Sequence, residues 1–231
     1  MSADRIIAEF ERARALDAPL AERLGIYASA LREYNQPVAE AADRLVERLK
    51  QGELASGAPA VGEALPPFLL PDTSGELVGL DDILADGPAA VSFIRGHWCP
   101  YCRLTMAALA EAAGQAAQLG GRIVAILPER QEYATRLRNE AGAPFPVLTD
   151  IDNGYALSLQ LTFWLGEELE TYMRSRDIDL GRAQGNESWF VPVPATFVVG
   201  RDGIIAARHV DPDYRNRMET QAIVEAIRSL A

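Results

Sequence analysis

The chain contains two cysteines, Cys99 and Cys102, which are separated by only two residues. Two thiols at this spacing can pass between a dithiol and a disulfide, which is the chemistry of a redox-active pair. The apolar run 89–94 predicts a buried strand, and the run 100–119, rich in Ala, Leu, Met and Gln, predicts a long helix. Cys99 would then occupy the N-cap of that helix, with Pro100 at its first position.

This placement predicts which of the two sulfurs reacts first. The free amides and the positive dipole end of a helix N-terminus favour the thiolate of Cys99 over its thiol. Cys102 lies within the first turn on roughly the same side, so it can attack a sulfenic acid or a mixed disulfide formed on Cys99. We therefore predict that Cys99 is the nucleophile and Cys102 the resolving thiol.

Two other interpretations of the cysteine pair stay open. A C-x-x-C motif can be half of a zinc site, but the chain has no further cysteine and only His97 and His209 as imidazoles, whereas such sites use four ligands. The two cysteines could also be packed in the core without reacting. Their position between a strand and a helix, flanked by Trp98 and Pro100, favours redox chemistry, and we expect no metal and no cofactor.

The overall composition limits the classes of partner. Lys and Arg number 22 against 33 Asp and Glu, and this net charge of -11 argues against nucleic acid or an anionic membrane as partner. No apolar run approaches the ~20 residues of a membrane span, and the N-terminus has no signal-peptide core. A cytoplasmic location is expected, where a close cysteine pair is more often catalytic than structural.

The sequence divides into an N-terminal helical extension with a linker, 1–59, and an α/β domain, 60–231. Residues 4–51 show the apolar periodicity of two or three helices, and the Gly- and Pro-rich stretch 52–67 indicates the linker. The extension lacks cysteine, histidine and any obvious acid pair. It is interpreted as a packing element, with a homodimer through its apolar stripes as a possible assembly.

Strand and helix patterns alternate through the α/β domain. A small hairpin, 68–80, and a short helix, 81–85, precede the cysteine motif. The later pattern predicts strands at 122–127, 146–149, 193–199 and 204–210, and helices at 129–139, 153–161 and 219–230. Alternation of this kind implies parallel strands covered on both faces. The segment 162–190 is interpreted as a helical insertion near the site.

Two stretches resemble a known family. FIRGHWCPYC at 93–102 and PVPATFVVGRDG at 192–203, in their order along the chain, are similar to the peroxiredoxin-like branch of the thioredoxin-fold superfamily, related to alkyl hydroperoxide reductase and thiol-specific antioxidant. The resemblance covers about 60–231. It implies a thioredoxin-like fold with a mixed central sheet flanked by helices. It also implies that Pro194 is a cis proline whose loop faces the cysteine pair and helps to hold the substrate.

The match departs from typical peroxiredoxins at two positions. These proteins have a Pro seven residues before the reactive cysteine and a Thr three residues before it, where this chain has Ser92 and Gly96. Pro100 and Tyr101 between the cysteines are instead similar to glutaredoxins, and Trp98 before them is similar to thioredoxins. The departures favour the fold assignment over the specific reaction with peroxide.

Other polar residues are candidates for supporting roles. Arg95 and Arg208 could stabilise a thiolate or a polarised peroxide through charge-assisted hydrogen bonds, although each could also be an ordinary solvated or salt-bridged arginine. His97 is interpreted as a turn residue rather than an acid-base catalyst. The segment 211–214 is similar to the corresponding part of the branch, without an assigned chemical role.

The leading hypothesis is a thiol peroxidase. Cys99 would attack a hydroperoxide to give a sulfenic acid, Cys102 would close the disulfide, and thioredoxin or a similar dithiol donor would reopen it. The alternative is a thioredoxin- or glutaredoxin-like thiol-disulfide oxidoreductase acting on protein or glutathione disulfides with the same two sulfurs. A third possibility is a binding module that keeps the fold without activity.

Overall fold

Strand β3, Ala89–Phe93, is the centre of a five-stranded sheet in the computed structural model, which describes residues 2–230. The strand order is β5-β4-β3-β8-β9, with β4 at Arg122–Leu127, β5 at Val147–Thr149, β8 at Ala195–Val199 and β9 at Ile205–Val210. Strands β3, β4 and β5 are parallel, whereas β8 and β9 are antiparallel to their neighbours. The predicted mixed central sheet is therefore confirmed.

Helices flank this sheet and complete the domain. They are α4 at Leu80–Leu84, α5 at Pro100–Gln118, α6 at Gln131–Ala141, α7 at Gly154–Ser158, α8 at Glu167–Arg174, α9 at Leu180–Gln184 and α10 at Thr220–Arg228. A short antiparallel ribbon, β1 at Leu69–Pro71 with β2 at Leu77–Gly79, precedes α4. Helix α5, which follows the cysteine turn, packs against α6 and α10.

The N-terminal extension forms three helices, α1 at Ser2–Ala15, α2 at Leu20–Tyr34 and α3 at Gln36–Gln51. Arg23 on α2 is almost completely buried. Its guanidinium donates to the carbonyl oxygens of Ala13 and Arg14 at 3.0 and 2.8 Å, and to Glu111 on α5 at 2.8 Å. One side chain thus ties the last turn of α1 to α2 and to the helix that carries the cysteine motif.

The apolar stripes of the extension are buried within the chain. Side chains such as Phe10, Leu24 and Leu45 belong to the same continuous hydrophobic core as Val91 and Ile126 of the sheet. The predicted homodimer stays a prediction, but these stripes cannot be its contact surface because they already pack inside the molecule.

The segment 162–190 is helical only in part, which corrects the interpretation from sequence. Strand β6, Thr162–Trp164, pairs antiparallel with β7, Phe190–Pro192, so the segment begins and ends as a two-stranded ribbon around α8 and α9. Phe163 is buried while Trp164 is exposed, which is the alternation of a strand rather than of a helix. The helix expected over 153–161 is also shorter and ends at Ser158.

Across residues 2–230, no helix combines the length and the apolar character that crossing a membrane would need.

Candidate functional site

The two cysteines lie at the start of α5, after the turn that follows β3, as the sequence indicates. Cys99 is the N-cap of α5, with extended backbone angles (φ -92°, ψ 113°), and Pro100 occupies the first turn. The carbonyl oxygen of Cys99 accepts a hydrogen bond from the Arg103 amide at 3.0 Å, which begins the helical pattern. Cys102 follows within the first turn, and both cysteines are free thiols.

Two arginines contact the sulfurs. Arg95 is buried, and its Nη2 donates to Cys99 Sγ at 2.9 Å. Arg217 is partly buried, and its Nη2 lies 3.8 Å from Cys102 Sγ while its Nε donates to Thr105 at 3.3 Å. The site therefore places two guanidinium groups against a pair of sulfurs that have 0% exposure.

These contacts separate the acidities of the two thiols. Burial by itself raises the pKa of Cys99, but the hydrogen bond from Cys102 and the charges of Arg95 and Arg217 outweigh it and lower the pKa from 9.0 to about 5. Burial, the hydrogen bond with Cys99 and the adjacent thiolate raise the pKa of Cys102 well above its ordinary value. At neutral pH, Cys99 is thus a thiolate and Cys102 keeps its proton.

Aromatic rings surround the Arg95 guanidinium. Its central carbon lies 3.7 Å from the ring centroid of Tyr214 and 5.1 Å from that of Trp98. Tyr214 also contacts Tyr101 edge to face at 5.6 Å, and Tyr101 contacts Tyr27 of the extension in the same way at 5.1 Å. The rings shield the guanidinium from water, which strengthens its interaction with the thiolate.

Residues 211–217, here called the cap segment, bring Tyr214 and Arg217 to the site. Within this segment, Arg215 donates to Asp213 at 2.7 and 2.8 Å, and its Nη1 donates to Asp43 of α3 at 2.6 Å. The N-terminal extension therefore holds the cap segment in place, and the similarity noted for 211–214 now corresponds to a contact with the site.

Arg208 does not lie beside the sulfurs, which corrects one of the two arginine candidates. Its Nη1 donates to the carbonyl oxygens of Ala58 and Pro59 at 2.7 and 2.6 Å, so it fastens the linker to β9. Register explains this placement: Arg208 is paired with Phe197, near the middle of β9, whereas the second guanidinium of the site comes from the irregular segment after that strand. Arg217 takes the place that was predicted for Arg208.

Pro194 lies in the buried connection between β7 and β8, and its predicted cis bond is absent. No peptide bond within residues 2–230 is cis. The amide of the preceding Val193 donates to the carbonyl oxygen of Leu161. The proposed contact of Pro194 with substrate stays a prediction.

A buried carboxylate, missed in the sequence, supports the turn before Cys99. Glu129 follows β4 and has 0% exposure, and its two oxygens accept hydrogen bonds from the amide and from Nδ1 of His97, both at 2.7 Å. Burial raises the pKa of Glu129, and the hydrogen bonds from His97 oppose that rise. His97 is thus a turn residue, as interpreted, with a carboxylate partner that only the fold brings near.

Gly96 shows why the threonine of typical peroxiredoxins is absent here. Its φ is +148°, and a Cβ at this position would lie 2.6 Å from both Glu129 Oε1 and Trp98 Nε1. Ser92, at the other departure, hydrogen-bonds with Thr196 on β8 at 3.0 Å. The turn is therefore built around a carboxylate and an arginine rather than around a threonine hydroxyl.

Solved structures with the same fold include three peroxiredoxins. Peroxidoxin BcpB from Mycobacterium tuberculosis has a TM-score of 0.57 at 17% identity, over 74% of this chain and 97% of that one. Peroxiredoxin 6 of Arenicola marina has a TM-score of 0.57 at 17% identity, over 74% and 73% of the two chains. A yeast mitochondrial 1-Cys peroxiredoxin has a TM-score of 0.56 at 16% identity, over 73% and 75%. At these identities the likeness establishes the fold, which is thioredoxin-like.

Comparisons of the sequence give a more specific result than the fold does. No curated protein matches the chain. The model of the AhpC/TSA family matches residues 61–208, which include the cysteine turn, Arg95, the strands β3 to β8 and most of β9. The chain therefore belongs to the AhpC/TSA family.

Proposed function

We propose that this protein is a thiol-dependent peroxidase that reduces hydroperoxides through Cys99 and Cys102. The observation that carries the proposal is the Arg95 guanidinium 2.9 Å from Cys99 Sγ, next to a second thiol that keeps its proton. Membership of the AhpC/TSA family supports thiol-based redox chemistry, as a peroxidase or as a thiol oxidoreductase.

The first step is a displacement at oxygen. The Cys99 thiolate attacks the distal oxygen of the hydroperoxide, the O–O bond breaks, and the proximal oxygen leaves with the electron pair and takes a proton to become an alcohol or water. Arg95, and Arg217 beside it, stabilise the charge that moves from sulfur to the leaving oxygen. Cys99 is oxidised to a sulfenic acid.

The second step closes a disulfide. Cys102 loses its proton as its sulfur attacks the sulfenic sulfur, and hydroxide leaves with that proton as water. The disulfide between Cys99 and Cys102 is then reduced by two thiols of thioredoxin or of a similar dithiol donor, which become a disulfide themselves. We assign the reaction to the reducing environment of the cytoplasm, where such donors keep the pair reduced.

The burial of the sulfurs favours peroxide over a protein disulfide as the oxidant. Cys99 and Cys102 both lack exposed surface, and Tyr214 and Arg217 of the cap segment contact Arg95 and Cys102. A hydroperoxide of a few atoms needs a smaller opening than a protein loop does. The alternative, a thiol-disulfide oxidoreductase, is favoured by the Pro100-Tyr101 pair between the cysteines and uses the same thiolate.

Rapid mixing of the reduced protein with hydrogen peroxide, an organic hydroperoxide and a model disulfide tests the proposal. We expect the peroxides to react at least tenfold faster than the disulfide, and the Cys99→Ser variant to react with none of them. The Cys102→Ser variant should accumulate a sulfenic acid, which dimedone labelling and mass spectrometry detect. Faster reaction with the disulfide would select the alternative, and a wild-type rate equal to that of a free thiol would remove both.

A further inference from the structure

A cleft of about 910 Å³ lies beside the turn that precedes Cys99. Four parts of the chain form its walls: the turn through His97 and Trp98, Arg103 on α5, helix α6, and the segment from the last residue of α8 into α9. Its volume is in the range of sites that hold small molecules. The cleft therefore ends on the residues that position the reactive cysteine.

Four arginines line this cleft, and two of them pair with acidic side chains. Arg103 pairs with Glu140, and Arg174 pairs with Glu170 at 3.0 Å. For Arg136 on α6 and Arg182 on α9, the described residues supply no side-chain hydrogen bond and no ion pair. These two cations are free to bind an anionic group.

Acidic groups and rings complete the lining. Glu132 and Asp177 also make no side-chain hydrogen bond or ion pair with the described residues, whereas Asp179 accepts from the Arg182 amide at 3.1 Å and caps α9. Trp98 and Tyr133 provide aromatic surface. The cleft thus offers two unpaired cations and two unpaired anions around an aromatic wall, which is complementary to a ligand that carries both charges.

We propose that this cleft binds a small zwitterionic peptide thiol, and its disulfide, as the reductant that recycles the cysteine pair. Carboxylates of the peptide contact Arg136 and Arg182, and its ammonium contacts Glu132 or Asp177. The role as reductant rests on the proposed function: one bound thiolate opens the Cys99–Cys102 disulfide to a mixed disulfide. A second thiol then releases the peptide disulfide, leaving both cysteines reduced, so the peptide thiol serves as an alternative to the dithiol donor.

Binding is measured without redox chemistry. Calorimetric titration of the Cys99→Ser/Cys102→Ser double variant with S-methylglutathione, which has two carboxylates, one ammonium and no free thiol, should give saturable one-to-one binding. The dimethyl ester of the same probe should bind at least tenfold more weakly, because ion pairs to Arg136 and Arg182 are lost. The Arg136→Ala/Arg182→Ala substitutions, added to the double variant, should weaken the binding of S-methylglutathione by a similar factor.

Arg176→Ala is the matched control, because Arg176 is also an exposed arginine after α8 but lies outside the cleft, over the Tyr172 ring. It should leave the affinity unchanged. Three outcomes would each overturn the proposal: no binding of S-methylglutathione, equal binding of its ester, or an equal loss of affinity in the Arg176→Ala control.

Peroxide turnover of the wild-type protein with dithiothreitol, a neutral reductant, separates this proposal from the proposed function. Turnover with dithiothreitol or thioredoxin in a protein that does not bind S-methylglutathione overturns the cleft proposal and leaves the peroxidase intact. Binding of the probe by a protein that shows no turnover with any reductant leaves the binding site standing and overturns the role of the peptide as reductant.

Discussion

The ionisation of Cys99 depends on side chains that lie four residues before it and far beyond it in the chain. The helix N-terminus supplies amides, but Arg95 and Arg217 bring full charges to sulfurs that have no exposed surface. In such surroundings a charged neighbour outweighs the partial charges of a helix end. The reactivity of the thiol should therefore follow the arginines closely.

The pH dependence of alkylation tests this directly. Because the pKa of Cys99 is lowered to about 5, the rate of its reaction with iodoacetamide should be flat above pH 6 and fall tenfold per pH unit below 5. The lowered pKa also makes the free energy of unfolding depend on pH. The contribution of this thiolate is complete above pH 9, the pKa of an ordinary thiol, and is lost as the pH falls to 5. A midpoint near 8.5 in the rate profile, measured by mass spectrometry, would contradict the geometry.

Replacing Arg95 should slow the first chemical step. In Arg95→Leu, the pKa of Cys99 should rise and the second-order rate constant with hydrogen peroxide should fall roughly 100-fold, because one charged donor to the reacting atoms is lost. Stopped-flow fluorescence measures the rate. Arg208→Leu is the matched control: it releases the linker from β9 but should leave the rate within about twofold. Equal losses in the two variants would assign Arg95 a purely structural role.

Restoring the usual threonine should fail in this turn. Gly96→Thr puts a Cβ 2.6 Å from Glu129 Oε1 at a φ of +148°. The substitution should lower the free energy of unfolding by about 2 kcal/mol or more without increasing the rate with peroxide. Urea unfolding gives the stability. A variant with wild-type stability and faster turnover would show that the turn can adapt to the hydroxyl.

At the level of elements, we expect the cap segment to control how often the buried sulfurs become exposed to solvent. It has no helix or strand of its own, and the Arg215 bridge to Asp213 and Asp43 fastens it to α3. Tyr214 of the segment belongs to the hydrophobic core, whereas Arg215 holds the segment through polar contacts, which open more readily than core contacts do. We therefore expect the salt bridge to the extension to limit access to the cysteines.

Weakening that bridge should expose the thiols. In Asp43→Asn, the reaction of the native protein with an aromatic disulfide reagent should become roughly two- to fivefold faster, since a partly exposed ion pair of about 0.5 to 1 kcal/mol is lost. Asp43 also forms an exposed ion pair with Arg32 at 2.6 Å. The control Arg32→Ala removes only that pair and should change the rate little. No acceleration in Asp43→Asn would show that the segment opens by another route.

The elements near the cysteines could be predicted because their signals are local. Pro100 marks the start of α5. Arg95 precedes Cys99 by only four residues, so the two side chains lie close together. Arg217 could not be found in this way, because it follows Cys102 by 115 residues within an irregular segment. Glu129 was missed for a similar reason. It follows β4, and only the parallel pairing of β4 with β3 brings it next to the turn that follows β3.

Short elements were harder to predict from sequence. Strand β6 has three residues, too few for alternation to show, and the apolar side chains after it also fit a helix. Arg208 was likewise a candidate cation because of its charge, but its register on β9 directs the side chain to the linker. Tertiary pairing, rather than local preference, decides both cases.

At the scale of the whole molecule, one core runs from the N-terminal helices to the sheet. Arg23→Ala should lower the free energy of unfolding by about 3 kcal/mol, because two buried carbonyl groups lose their donor and α1 and α2 lose a tie to α5. Chemical denaturation monitored by circular dichroism measures the change. Arg12→Ala, which breaks an exposed pair with Glu9, should stay within about 0.5 kcal/mol of the wild type.

The chain of rings from Tyr27 through Tyr101 to Tyr214 ends on the guanidinium that touches the reactive sulfur. A substitution in the second helix can therefore alter the electrostatics of the thiolate without any change in the motif itself. Transplanting the cysteine turn onto a scaffold without these helices would carry over the sequence of the centre but not its acidity. The amino-terminal quarter of the protein is, in this sense, a component of the reactive centre.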